Sequence, residues 1–160
     1  MSERVGIAEL RLARAPTVLK AFGLGSCLAI ALYDPEPRLG ALVHSLLPQA
    51  RPGELPAPPV KYVDVAIARM VEELVRAGAA AGRLQARIAG GANMFEAAYV
   101  TLIDSIGVRN VRSARQTLAA RDIPVVGEEV GGNYGRSVEF HLATGQLLVY
   151  CARENRTRTL

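Results

Sequence analysis

The sequence has no tryptophan, few aromatic residues of any kind (5%), and only two cysteines, two histidines and two lysines (Lys20 and Lys61). Each shortage excludes something. Two cysteines, Cys27 and Cys151, make no disulfide framework, and a chain of 160 residues buries roughly 70% of its unfolded surface without one. The cysteines and histidines never fall at CxxC or HxxxH spacing, so no zinc site is expected and no metal or cofactor is called for. Neither GxGxxG nor GxxxxGK[ST] occurs, which argues against nucleotide binding. The net charge of +4 is carried almost wholly by scattered arginines; with no basic run and few aromatics, nucleic acid is a poor partner. That balance suits an acidic partner, though weakly. No apolar run nears the roughly 18 to 20 residues that cross a bilayer. Met1-Ser2-Glu3-Arg4 leads into alternating residues rather than a signal-peptide core, so a cytoplasmic protein with no membrane insertion is expected.

What remains is half apolar, enough for one domain over 1–152 followed by a polar basic tail over 153–160 that holds Arg153, Arg156 and Arg158. Val5 to Leu12 and Thr17 to Phe22 read as strands split by Ala15-Pro16. Cys27 to Tyr33 and Leu39 to Leu47 are apolar runs joined by the turn-like Asp34-Pro35-Glu36-Pro37, hence a hairpin. Gln49 to Pro59 holds four prolines and reads as a loop, a candidate lid or docking surface. Val63, Ala66, Ile67, Met70, Val71, Leu74 and Val75 then trace one face of a helix, with Gly78 as its cap. Leu84 to Ala89 is a short strand running into Gly90-Gly91-Ala92-Asn93-Met94-Phe95. Asn110 is a plausible N-cap for a second helix over Val111 to Arg121. Ile123 to Gly127 is a strand, Gly131 to Arg136 a glycine-rich turn, and Ser137 to Leu142 with Gln146 to Cys151 a last hairpin. Cys151, inside an apolar run, reads as a buried small hydrophobe.

Cys27 is different. It opens a strand behind Gly23-Leu24-Gly25-Ser26, and the hairpin sets His44 on the adjacent strand near the same end of the ladder. A thiol beside an imidazole is a nucleophile with its base. A nearby histidine lowers a thiol pKa by stabilising the ion pair. The glycines allow a turn whose N–H groups, around Gly25, Ser26 and Cys27, converge near the sulfur and hold the oxyanion of an acyl intermediate. The resulting chemistry is attack on a carbonyl through a thioester. On residues alone a structural cysteine and a satisfied core histidine remain the alternative, and His141 competes with His44 as base.

In order along the chain stand Gly23-Leu24-Gly25-Ser26-Cys27, His44 with Leu47-Pro48, Lys61-Tyr62 with Asp64, Gly90-Gly91-Ala92-Asn93-Met94, Ile106-Gly107 with Arg109-Asn110, and Gly131-Gly132 with Gly135-Arg136. From about residue 5 to residue 150 this pattern resembles the chemoreceptor glutamine deamidases, the CheD family. The resemblance implies an α/β (α+β) sandwich with mixed β-sheets and two main helices packed outside, similar to the catalytic domain of the cytotoxic necrotizing factor toxins. It implies a cysteine hydrolase that converts glutamine side chains of chemotaxis receptors to glutamate and releases ammonia. Cys27 falls on its nucleophile and His44 on its general base. It implies two partners, the receptor cytoplasmic helices as substrate and a CheC-type phosphatase. Gly23, Gly90, Gly91 and Asn93 are candidates for the substrate groove.

One position departs from the family. Its third triad member, a threonine, is here Ala21, which has no hydroxyl to orient the imidazole. A slow or inactive binding protein that docks receptors or the CheC-type phosphatase is therefore the rival reading, and another thiol acyl transferase or peptidase a third.

Overall fold

The computed structural model describes residues 1–53, 59–94 and 105–160; of the proline-rich segment, Pro56 and Pro58 lie outside them, as does Phe95. Ten strands are described: β1 (Ser2–Arg4), β2 (Leu10–Arg14), β3 (Val18–Leu24), β4 (Leu28–Asp34), β5 (Leu39–Ser45), β6 (Gln85–Gly90), β7 (Val125–Val130), β8 (Arg136–His141), β9 (Gln146–Cys151) and β10 (Arg156–Thr159). Two α-helices accompany them, α1 (Val63–Arg76) and α2 (Ile106–Ala120). The strands form two five-stranded sheets, ordered β1-β3-β8-β9-β10 and β2-β5-β4-β6-β7. Both are mixed: β1 pairs parallel with β3 and β6 with β7, while the other pairs are antiparallel.

The β4–β5 hairpin is the centre of the second sheet, and every residue of both strands is buried. One face, with Leu28, Ile30, Leu32, Ala41 and Val43, packs beneath Ile67, Met70 and Leu74 of α1 and Ala114 and Leu118 of α2. The other face, with Ala29, Ala31, Tyr33 and Leu42, meets Leu19, Ala21, Val138, Phe140 and Val149 of the first sheet. A strand buried on both faces has no polar positions to alternate with, so both runs read as continuously apolar. The small residues lie between the sheets, where they permit close approach. A Cβ on Gly40 would stand 2.7 Å from Leu142 and 2.8 Å from Phe140. The result is three layers, sheet on sheet on helices.

Helix α1 buries the expected stripe except Val71, which is partly buried, and Val75, which is exposed. It ends in a Schellman motif: Gly78, at φ 114°, donates to the Val75 carbonyl and Ala79 to the Leu74 carbonyl. Each buried Leu, Ile or Met of that stripe contributes about 1.5–3 kcal/mol. Cys151 is buried, as its apolar run implied.

Three expectations are corrected. Val5 to Leu12 is not one strand. The chain turns at Ile7-Ala8, Ala8 taking φ 57°, and passes from β1 in the first sheet to β2 in the second. The second helix begins five residues early: Ser105 is its N-cap, its side chain accepting from the Val108 N–H, and Asn110 lies buried inside the helix. Finally, 153–160 is not a free tail. Arg156–Thr159 pairs with β9, and Leu160 exchanges two backbone hydrogen bonds with Leu147.

Candidate active site

Cys27 stands at the mouth of β4, half-exposed, and packs against the inter-sheet cluster. The approach to it is a β-bulge. Between Ala21 and Leu24, three steps of β3 pass two of β8 (Ala21 opposite Val138, Leu24 opposite Arg136), and Gly23 takes φ 69° there. A bulge bends its strand and re-aims the residues beyond it. This one delivers the turn Gly25-Ser26-Cys27.

All three carbonyls of that turn are held. Gly25 O accepts from Ala92 N (2.9 Å), Ser26 O from Asn110 Nδ2 (2.9 Å) and Cys27 O from Gly91 N (2.9 Å). Among the described residues no backbone acceptor takes the Ser26 or Cys27 N–H. The Cys27 N–H lies by its own sulfur. These amides are therefore available to a developing oxyanion.

His44 lies on β5 opposite Ala29. Paired residues share a face, and so do residues two apart on a strand. Cys27, one residue before β4, packs against the cluster that holds Ala29, so it and His44 lie toward the inter-sheet side near one end of the ladder. The His44 backbone is fixed at both ends, its N–H donating to Glu9 O (3.2 Å) and its C=O accepting from Ala8 N (2.9 Å). Its ring is 1% exposed, and Nε2 has no hydrogen-bond partner among the described residues. Ala21 belongs to the same inter-sheet cluster, fully buried, and offers only a methyl.

Burial favours the neutral form of both groups, against the imidazole-stabilised thiolate expected from sequence. Burial pushes the Cys27 thiol up, and its own N–H offsets only part of that. Burial alone pushes His44 down. Desolvation wins because no hydrogen bond joins the two side chains at rest.

His141 is not an alternative base in this geometry. It ends β8 opposite Val18, at the far end of the β3–β8 ladder from Leu24, and contacts Glu139. Five residue steps along β8 separate its two ends, roughly 17 Å.

The four groove candidates do not form one wall. Gly23 is on the exposed bulge, with open space around it. Gly90 and Gly91 are buried behind the cysteine turn; a Cβ on Gly90 would stand 2.3 Å from Cys27 O. Asn93 is half-buried, its N–H donating to Gly132 O (2.9 Å). Gly131 N in turn donates to Gly90 O (3.0 Å), so the two glycine pairs brace one another.

Sequence reasoning missed two contributors. Asn110 Nδ2 donates to Leu46 O (2.9 Å) as well as to Ser26 O. Arg136, 2% exposed, pairs with buried Glu129 and donates to Gly90 O (3.3 Å), and Arg156 of β10 also reaches Glu129 (3.0 Å). Burial pushes the Glu129 carboxyl up, but the two guanidiniums outweigh it and hold it below the usual range. The available signal was a polar residue inside each glycine-bearing motif, Asn110 after Gly107 and Arg136 after Gly135.

Beyond Leu46, a cleft of about 460 Å³ opens between Leu47, Arg51, Lys61, Tyr62, Ile106 and Arg109, three of them cationic. No group of three His, Cys, Asp or Glu side chains among the described residues is placed to hold a metal ion. No helix among them is long and apolar enough to cross a membrane.

The chain matches the family model described as CheD chemotactic sensory transduction over residues 46–151. The probable chemoreceptor glutamine deamidase CheD 2 of Geobacter metallireducens is 49% identical over 146 residues, 91% of this chain and 90% of that protein. The probable chemoreceptor glutamine deamidase CheD of Methanosarcina barkeri is 41% identical over 145 residues, covering 91% and 93%. The chemoreceptor glutamine deamidase CheD of Thermotoga maritima is 42% identical over 149 residues, covering 93% and 91%. With the match running through most of both chains, this protein belongs to the CheD family.

Proposed function

We propose that the protein is a glutamine deamidase of chemotaxis receptors, with Cys27 as nucleophile and His44 as general base and acid. The carrying observation is the cysteine turn: a half-exposed thiol, three carbonyls tied inward, a Cys27 N–H beside the sulfur, and no backbone acceptor for the Ser26 or Cys27 N–H among the described residues. The names of the relatives support glutamine as the substrate side chain.

The thiol attacks the glutamine side-chain carbonyl as its proton passes to neutral His44. A carbon–sulfur bond forms, and the oxyanion rests against the Ser26 and Cys27 N–H groups. As the tetrahedral intermediate collapses, His44 returns the proton to the nitrogen and ammonia leaves. Water then attacks the thioester, giving one proton to His44. The carbon–sulfur bond breaks, the sulfur recovers its proton, and glutamate remains. A lowered His44 pKa suits this cycle, because the ring rests as a neutral base at pH 7. The cationic cleft suits the acidic surface of receptor helices. A CheC-type phosphatase is proposed as a second partner, the cytoplasm as the compartment, and the likeness to the necrotizing factor catalytic domain as the wider fold relationship.

Incubating the protein with a receptor cytoplasmic fragment, and following ammonia release and glutamine-to-glutamate conversion by peptide mass, tests this. Conversion by the native protein and none by Cys27→Ala is expected. Unmodified glutamines after incubation with a fragment that binds would sink the proposal.

Ala21, and a His44 Nε2 with no partner among the described residues, favour one rival, a docking protein of the same family with little turnover. Tight binding of receptor or phosphatase without ammonia release would select it.

A further inference from the structure

We infer that Asn110 is a positioning residue for the nucleophile: its buried amide fixes the Ser26–Cys27 peptide plane and so aims the Cys27 N–H at the oxyanion. The inference rests on the proposed thioester chemistry and names a residue that serves it from outside the reacting atoms.

The amide spends both hydrogens of one nitrogen, at 2.9 Å to Ser26 O and 2.9 Å to Leu46 O. Its oxygen, Oδ1, is buried with no partner among the described residues. Rotating the amide would set Oδ1 against two carbonyl oxygens, so the network fixes its orientation. A buried carbonyl without a partner is unfavourable, and an apolar side chain of the same shape would avoid it. The position therefore keeps asparagine for what the nitrogen does. Serine has one hydrogen to give, and aspartate accepts only.

The geometry of the peptide bond supplies the consequence. Ser26 C=O and Cys27 N–H belong to one planar trans unit and point in opposite directions. Holding the oxygen toward α2 turns the N–H away from it, to the side where the sulfur lies. The second bond is to the residue standing two positions past His44, at the end of β5. One side chain thus ties the cysteine turn to the histidine strand, and each is held in register with the other. Neighbouring Ser113 supplies a comparison within the same helix: its Oγ donates to Pro48 O (2.5 Å), a buried helix-to-loop bond that touches neither carbonyl.

Two electrophiles that require no receptor separate positioning from structure. Acylation of Cys27 by p-nitrophenyl acetate passes through an oxyanion: a carbon–sulfur bond forms, nitrophenolate leaves, and the thiol proton goes to His44 or solvent. Alkylation by iodoacetamide displaces iodide and forms no oxyanion. In Asn110→Leu, acylation is expected to fall roughly 10²-fold, the size of one lost oxyanion donor, while alkylation changes less than about threefold. Asn110→Ala, checked by thermal unfolding, serves if leucine does not pack, and Ser113→Ala is expected to leave both rates unchanged. Equal loss with both electrophiles, unchanged acylation, or the same loss in Ser113→Ala would overturn the inference. The split appearing in a protein inert toward receptor fragments would uphold it and sink the deamidase proposal instead.

Discussion

At one end of the β4–β5 ladder, Asp34 is buried and fully satisfied. Its oxygens accept from Arg83 Nε (2.9 Å) and Nη2 (2.8 Å), Ala80 N (2.8 Å) and Glu36 N (3.1 Å). At the other end, His44 is equally buried and Nε2 has no partner among the described residues. Burial pushes the Asp34 carboxyl up, but Arg83 and the two N–H groups overcome it and hold it low. Burial acts on His44 unopposed. The same two strands therefore carry a stabilising end and an end left unsatisfied among the described residues, which is where polar rules are relaxed for function.

Substitutions at the two ends should fail differently. Cys27→Ala is expected to lower deamidation about 10⁴-fold or more, the scale seen when a nucleophile is removed, with no fall in melting temperature. Ammonia release and calorimetry measure the two. Asp34→Ala is expected to do the reverse. With Arg83 still half in water the loss should be about 2–3 kcal/mol, or roughly 5–10 °C in Tm, while Cys27 alkylation keeps its rate. Ala21→Thr would sharpen the contrast by satisfying the unsatisfied end. A hydroxyl reaching His44 should raise kcat about tenfold with KM unchanged, at a packing cost of about 1 kcal/mol. An unaltered kcat would mean that Ala21 does not limit the rate.

The smallest expected effect is on the pH dependence of stability. Asp34 has a depressed folded pKa, so its contribution is present above about pH 4 and is lost as pH falls through the folded value. His44 is also depressed, but its charged form is the protonated one. Below about pH 6.5 the unfolded chain takes a proton that the buried ring refuses, so stability declines as pH falls. Urea titrations across pH should show His44→Gln flattening the upper part of the curve and Asp34→Asn the lower part.

The hairpin, α1 and the placement of Cys27 and His44 near one end of the ladder were legible in the sequence, because apolar runs, a helical stripe and turn chemistry are local signals. The rest depended on contacts between distant segments. At the crossing from β1 to β2 the apolar alternation shifts phase, from Val5 and Ile7 to Leu10 and Leu12, but a phase shift does not by itself say that the chain changes sheet. Asn110 looked like a cap because asparagine is a favoured N-cap residue. Its partners, Ser26 and Leu46, lie far away in sequence. The basic composition of 153–160 masked a strand whose partner is β9. The raised thiol pKa was likewise out of reach, since desolvation is a property of the packed site rather than of a motif.

The thioester itself is the most direct test. Protein quenched in acid during turnover with a receptor fragment, then digested and mapped by mass, should carry the substrate on the peptide that contains Cys27, and Cys27→Ala should carry none. Glutamine converted to glutamate at full rate by Cys27→Ala would contradict the account.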